Sequence, residues 1–182
     1  MEAQSQMRHA LELFRKSTPA LREPAAEDGA DIWELVRACK PLDENSIYCN
    51  LIQCDHFRDT CVVAELDGDI VGWVSAYVLP HDPEALFVWQ VAVSEKARGT
   101  GLGSLMLNAL LHRKACADVK RLQTTITADN EASWALFRKF AKSKQSKLGV
   151  QAYFTQSRHF RERQSTEHMV TIDLAEQARE AA

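Results

Sequence analysis

Arg98-Gly99-Thr100-Gly101-Leu102-Gly103 stands between the apolar run Leu86-Phe87-Val88-Trp89-Gln90-Val91-Ala92-Val93 and a stretch where Leu102, Leu105, Met106, Ala109 and Leu110 recur at helical spacing. The order is strand, loop, helix. Three glycines within five residues let the backbone turn sharply and leave no side chain between its amides and a ligand. The helix that follows adds unpaired N–H groups and the positive end of its dipole, so the loop suits a phosphate or pyrophosphate. A P-loop is excluded, because no Lys follows the glycines. A dinucleotide fingerprint needs Gly-x-Gly-x-x-Gly, but its third position falls on Ser104 counted from Gly99 and on Met106 counted from Gly101.

The remaining chain reads as one domain. With 182 residues, 46% of them hydrophobic, there is enough apolar material for a single sizeable core. A net charge of −3 gives no broad basic face and argues against nucleic acid as a partner. Apolar runs are strand-sized and fall well short of the roughly 20 residues that cross a bilayer, so no membrane association is expected. Arg8, Glu12, Arg15 and Lys16 interrupt any signal-peptide core. Cys39, Cys49, Cys54, Cys61 and Cys116 are odd in number and form no Cys-x-x-Cys pair, which favours reduced thiols, no metal and a cytoplasmic setting.

Residues 1–20 read as a frayed or helical leader, 21–173 as the folded domain and 174–182 as a C-terminal tail. Leu21-Arg22-Glu23-Pro24 is an edge-strand candidate stopped by proline. Asp28 and Asp31 precede the periodic Ile32, Trp33, Leu35 and Val36 and mark a helix start. A second helix is expected from about Glu44 to Asp55. Cys61–Leu66 and Ile70–Val78 flank Asp67-Gly68-Asp69, a hairpin signal. Pro80-His81-Asp82-Pro83 breaks the chain before the strand at 86–93, and His168–Ile172 is a late strand candidate.

The glycine loop resembles motif A of the GCN5-related acetyltransferases (GNAT), Gln/Arg-x-x-Gly-x-Gly/Ala, filled here by Arg98, Gly101 and Gly103. A second block, Asn130-Glu131-Ala132-Ser133-Trp134-Ala135-Leu136-Phe137 after the strand-like 122–127, resembles a later segment of that family. Within it, Leu42–Cys49, Asp59–Glu65, Asp28–Val36 and Phe87–Val93 resemble the diaminobutyrate acetyltransferases of ectoine biosynthesis over roughly residues 21–173. Gln164-Ser165-Thr166-Glu167 stands where that branch has His-Glu-Asp-Glu, and only Glu167 matches.

The resemblance implies an α/β GNAT fold, a mixed central sheet with splayed strands flanked by helices. It implies acetyl-CoA as cosubstrate, with Val91, Val93, Arg98, Gly99, Thr100, Gly101, Leu102, Gly103 and Ser104 around it and Asn130 near the pantetheine arm. Asn130 is also in position to cap its helix. The acetyl group would pass to the γ-amine of a small diamine, L-2,4-diaminobutyrate, in a homodimer. Val91 or its neighbour would supply an oxyanion donor from its backbone N–H. Many relatives place a Tyr seven residues after the Asn, where this chain has Phe137, so Tyr48, then Ser133, then water are the candidates to protonate the thiolate.

Asp43 and Glu167 are expected to meet the amines, Asn45, Ser46 and Tyr48 to hydrogen-bond the substrate, and Trp89 to wall the pocket by cation–π contact. Asp43 is also a candidate helix cap, and Trp89 a candidate core aromatic. Three other readings stay open: an enzyme for another small amine, a peptide acetyltransferase, and a non-catalytic acyl-CoA sensor, which Phe137 favours.

Overall fold

The structure, a computed structural model, describes residues 18–174. Apart from residues 18–20 and 174, the expected leader and tail lie outside the described residues.

Seven strands form one sheet in the order β1-β2-β3-β4-β5-β7-β6, where β1 is Ala20–Arg22, β2 Val62–Leu66, β3 Asp69–Leu79, β4 Asp82–Val93, β5 Arg121–Thr127, β6 Leu148–Phe154 and β7 Glu167–Asp173. Only β4 and β5 run parallel. That crossover is made by the glycine loop and α3, Leu102–Leu111. Helix α1, Gly29–Ala38, and α2, Ile47–His56, precede the sheet's long strands, and α4, Glu131–Ser143, follows β5.

The sheet separates two cores. On one face Leu86, Val88, Val74 and Ala76 pack with Met106, Leu107 and Leu110 of α3 and Phe137 and Phe140 of α4. On the other, Ile32, Leu35, Val36 and Cys39, spaced for one side of α1, pack on Val63, Trp73 and Ala92. At the β2–β3 hairpin, Asp67 (φ 53°) and Gly68 (φ 86°) both take the left-handed conformation that a tight two-residue turn needs.

Several boundaries differ from the sequence expectation. Strand β1 ends two residues before Pro24. Helix α2 starts at Ile47, not near Glu44, because the Ser46 hydroxyl accepts from the Cys49 N–H at 3.1 Å; Ser46, not Asp43, is the cap. Strand β4 reaches back to Asp82, pairing with Leu79 across the proline-containing turn. The β6 strand has no counterpart in the sequence reading; six of its seven residues are exposed, which erases the alternation that marks a half-buried strand.

Asp28 precedes α1, but its carboxylate does not cap the helix. It takes two parallel bonds from Arg22, at 2.7 and 2.8 Å, and a third from the Ala25 N–H at 2.7 Å. Arg22 also donates to Glu65 on β2 at 2.9 Å. These bonds tie the edge strand to the start of α1, and the Arg22 guanidinium holds the Asp28 carboxyl below its usual range.

A carboxyl with a depressed pKa stabilises the fold above its unfolded pKa, and that contribution is lost as pH falls through the folded one. The Arg22 side chain is 37% exposed, so the pair is worth less than a buried one. Asp28→Asn should lower stability at pH 7 by about 1–2 kcal/mol. Urea melts should show the gap to the parent chain narrowing below about pH 4.

Candidate active site

Strands β4 and β5 are paired only at Ala85–Arg121, Leu86–Leu122 and Phe87–Gln123. Beyond Phe87 they separate, leaving the β5-facing edge of β4 without a strand partner. A cavity of about 400 Å³ opens there. Val91 and Val93 form its β4 wall, residues 97–99 and 101–104 its roof, and Asn130, Ser133 and Leu136 its α4 wall.

The roof has the shape of an anion cradle. Gly99 (φ 77°) and Gly101 (φ 87°) both occupy the left-handed region. A Cβ at either would meet nothing within 4 Å, so their requirement is conformational. Gly103 differs: a Cβ there would lie 3.1 Å from the Leu136 Cδ1, so this glycine admits the close approach of α4 to α3. The first α3 bond is Leu105 N–H to the Gly101 carbonyl, at 3.1 Å. The amides of Leu102, Gly103 and Ser104 therefore have no acceptor within the helix and are left for a ligand.

Among the expected coenzyme residues, Val91, Val93, Arg98, Gly99, Gly101, Leu102, Gly103, Ser104 and Asn130 line the cavity. Thr100 is not in the lining; its hydroxyl donates to the Ala97 carbonyl at 2.7 Å and braces the loop. Asn130 combines two positions, since its Oδ1 accepts from the Ser133 N–H at 3.1 Å while the residue faces the cavity. Cys39, which sequence reasoning did not single out for this site, also lines it, with its thiol donating to the Val93 carbonyl. Only its position at the end of an amphipathic helix hinted at that.

A bulge in β4 decides what faces which way. Ser75 pairs with Gln90 and Ala76 with Val88, which leaves Trp89 as the extra residue. Its side chain is 48% exposed, so Trp89 is not a core aromatic. Before the bulge, Leu86 and Val88 point into the α3–α4 core; after it, Ala92 packs in the α1 core, while Val91 and Val93 lie against the α3–α4 side.

The expected amine-side residues come from three elements. Glu167 begins β7, opposite Thr127. Burial pushes its carboxyl up, a hydrogen bond from Thr125 opposes this, and the Asp43 carboxylate adds like-charge repulsion. Its Oε2 is buried without a hydrogen-bond partner. Asp43 and Asn45 lie in the segment before α2, held to Gln90 of β4. Tyr48, in the first turn of α2, is 72% exposed and does not line the coenzyme cavity. Phe137 is buried in the α3–α4 core, whereas Ser133 faces the cavity.

No thiol is set up as a strong nucleophile among those whose ionisation shifts. Burial pushes Cys54 and Cys61 up to about 12 and Cys116 to about 11. Among the described residues no group of three or more His, Cys, Asp or Glu is placed to hold a metal ion, and no helix is long and apolar enough to cross a membrane.

The sheet parts at its one parallel pair, with a glycine cradle at the mouth of the gap, and the family model described as "Acetyltransferase (GNAT) family" matches residues 29–141. The chain belongs to the GNAT family. It is similar to the L-2,4-diaminobutyric acid acetyltransferase of Methylotuvimicrobium alcaliphilum, 48% identical over 152 residues, covering 84% of this chain and 88% of that one. The enzyme of the same name from Chromohalobacter salexigens is 51% identical over 141 residues, covering 77% and 73%. Among solved structures, the diaminobutyrate acetyltransferase EctA from Paenibacillus lautus, in complex with its substrate L-2,4-diaminobutyric acid and coenzyme A, is 40% identical with a TM-score of 0.79, over 86% of this chain and 96% of that one. Ard1 from Thermoplasma volcanium, 15% identical with a TM-score of 0.68 over 87% of this chain and 99% of that one, shares the fold.

The two kinds of glycine in this GNAT loop make opposite predictions. Gly101→Ala forces a side chain into the left-handed region, at a cost of about 1–2 kcal/mol, and the loop relieves it by turning its amides away from the anion. Calorimetric titration should show coenzyme A affinity falling about tenfold with a small change in melting temperature. Gly103→Ala, which presses on Leu136, should affect melting temperature more than affinity. Unchanged affinity in folded Gly101→Ala would contradict the cradle.

Proposed function

We propose that this chain transfers the acetyl group of acetyl-CoA to the γ-amine of L-2,4-diaminobutyrate, giving N-γ-acetyldiaminobutyrate for ectoine synthesis and thus osmoprotection. The carrying observation is the pair Asp43 and Glu167. The Asp43 carboxylate adds like-charge repulsion at Glu167, and one Glu167 oxygen is buried without a partner. A cationic substrate between them relieves both conditions, because an ammonium satisfies the orphaned acceptor and cancels the repulsion. The names carried by relatives at 48% and 51% identity point to the same diamine.

In this reading the loop amides and the α3 N-terminus bind the pyrophosphate, with Arg98 alongside. The thioester lies against Val91 and Val93, where the unpartnered β4 edge offers a backbone N–H to the developing oxyanion. The γ-ammonium must lose its proton before its nitrogen attacks the carbonyl, and Glu167, whose carboxyl is already pushed toward a higher pKa, accepts it directly or through water. Attack gives a tetrahedral intermediate whose collapse breaks the C–S bond. Ser133, in the cavity wall, is assigned to protonate the departing thiolate. Tyr48, Asn45 and Ser46, from the first turn of α2 and the segment before it, are assigned to the substrate's polar ends, and Trp89 to the wall between them. The Cys39 S–H is engaged as a donor, which favours direct transfer over an acetyl-cysteine intermediate.

A homodimer is part of the proposal. Strand β6 is an edge of the sheet, with Val150, Tyr153 and Phe154 exposed by 51, 44 and 40%, an apolar edge of the kind that a second copy covers. Five free cysteines suit the reducing cytoplasm.

Initial rates with diaminobutyrate, lysine, spermidine and a peptide test the substrate. Diaminobutyrate should give the highest kcat/KM, with NMR showing acetyl only on the γ-nitrogen; a faster peptide or polyamine, or substantial α-acetylation, contradicts the assignment. Glu167→Gln should raise the diamine KM by about 10- to 150-fold, the equivalent of a charged hydrogen bond of about 1.5–3 kcal/mol, and leave coenzyme affinity unchanged. Since only the ionised carboxyl pairs with an ammonium, kcat/KM should fall on acidification at a pH above the usual carboxyl value of 4.5, and this limb should be lost in Glu167→Gln, whose amide does not titrate.

A further inference from the structure

Gln90 is a polar side chain only 7% exposed, in the strand that forms the coenzyme wall. Its Nε2 donates to the Asp43 main-chain carbonyl at 2.9 Å, and its Oε1 accepts from Asn45 Nδ2 at 3.4 Å. Both partners are 45 or more residues away in sequence, in the segment that carries the candidate amine-binding groups. The neighbouring residue, Val91, faces the coenzyme cavity. Two consecutive residues of one strand thus address the two substrates from opposite faces of the sheet.

The bulge is what permits this. Were Trp89 paired in regular alternation, with no bulge, Gln90 would continue the inward series of Leu86 and Val88 and point into the α3–α4 core, where an amide has no partner. With it, Gln90 stands beside Ser75, its cross-strand partner, and under the Asp43–Asn45 segment. The rest of that segment is tied to α1 and the turn after it, through the ion pairs of Glu44 with Arg37 and Lys40 and through Leu42 on the α1 core, whereas Asp43 itself is exposed and its main-chain carbonyl is held by Gln90. A carboxylate on a loop steers a small substrate only if its backbone is fixed, because a displacement of about an ångström costs roughly a hundredfold in an orientation-dependent transfer.

We infer that Gln90 is a positioning residue that fixes the Asp43 segment to the coenzyme strand, setting which nitrogen of the diamine meets the thioester. The inference rests on the proposed assignment of Asp43 to the amine side. Gln90 touches neither substrate. Its bonds fix the distance between the loop that holds one ammonium and the strand edge that polarises the acetyl carbonyl. Loss of those bonds loosens the amine side alone, since Val91 and the glycine loop keep their own supports.

The test uses Gln90→Met, which keeps the length and volume of the side chain and removes both hydrogen bonds. Hydrogen exchange measured by mass spectrometry on full-length protein should show faster exchange in the peptide covering residues 40–46, with the 98–106 peptide unchanged. Steady-state kinetics should show KM for diaminobutyrate raised by about tenfold, the loss of one to two neutral hydrogen bonds, with the affinity for coenzyme A within twofold of the parent. NMR of the product should show α-acetylation, which general destabilisation would not produce. Gln90→Glu, which sets a carboxylate oxygen against the Asp43 carbonyl at a buried site, should loosen the 40–46 peptide at least as much. Unchanged exchange at 40–46, or an unchanged KM and product ratio in a folded Gln90→Met protein, overturns the inference. The exchange readout needs no substrate, so it separates failure of this inference from failure of the diamine assignment, which would show as no diaminobutyrate turnover in the parent chain.

Discussion

Strands β4 and β5 hold together for three residue pairs and then part, and every other feature of the site is arranged around that separation. Parallel strands are normally covered on both faces and paired along their length, because an unpaired backbone edge buried from water is expensive. Here the edge beyond Phe87 opens onto a cavity instead. Such an edge is stable only if water or a ligand completes it, so the gap is a binding site by construction. The glycine loop follows directly from the free end of β4 and returns the chain as α3, whose unpaired amides face the same opening.

The two sides of the site have different electrostatic character. The coenzyme side joins neutral dipoles, the loop amides and a helix N-terminus, to the cations Arg98, Lys40 and Lys139 of the cavity lining; this suits an anionic pyrophosphate. The amine side is acidic and under-satisfied, with Glu167 raised by burial and then by Asp43. An arrangement strained in the absence of a cation is relaxed in its presence, which is how differential burial becomes selectivity for an amine. The β4 bulge lets one strand serve both environments, giving Val91 to one face and Gln90 to the other.

The elements with strong local signals were readable from sequence. The glycine loop, the Asp-Gly hairpin, the periodicity of α1 and the alternation in β5 each state their structure within a few residues. Strand β6 was not readable, because six of its seven residues are exposed and no polar–apolar pattern survives. The start of α2 was misplaced because Asp43, Asn45 and Ser46 are all good caps, and only the backbone geometry selects Ser46. In the site, the coenzyme wall was legible because it is contiguous in sequence. Cys39 and Gln90 were not assigned, since one enters through a helix end and the other through a one-residue bulge, and neither leaves a local signature. Gly103 illustrates a subtler point: it sits in the coenzyme motif, yet its missing Cβ clears Leu136.

The central claim is that a diamine bridges Asp43 and Glu167 while the coenzyme fills the gap between β4 and β5. A crystal structure of the chain with coenzyme A and L-2,4-diaminobutyrate tests it most directly. The account predicts density for one ammonium within hydrogen-bond distance of the Glu167 Oε2, Asp43 facing the same molecule, and the γ-nitrogen as the amine nearest the coenzyme sulfur beside Val91. A diamine bound away from both carboxylates, or oriented with its α-nitrogen toward the sulfur, would contradict it.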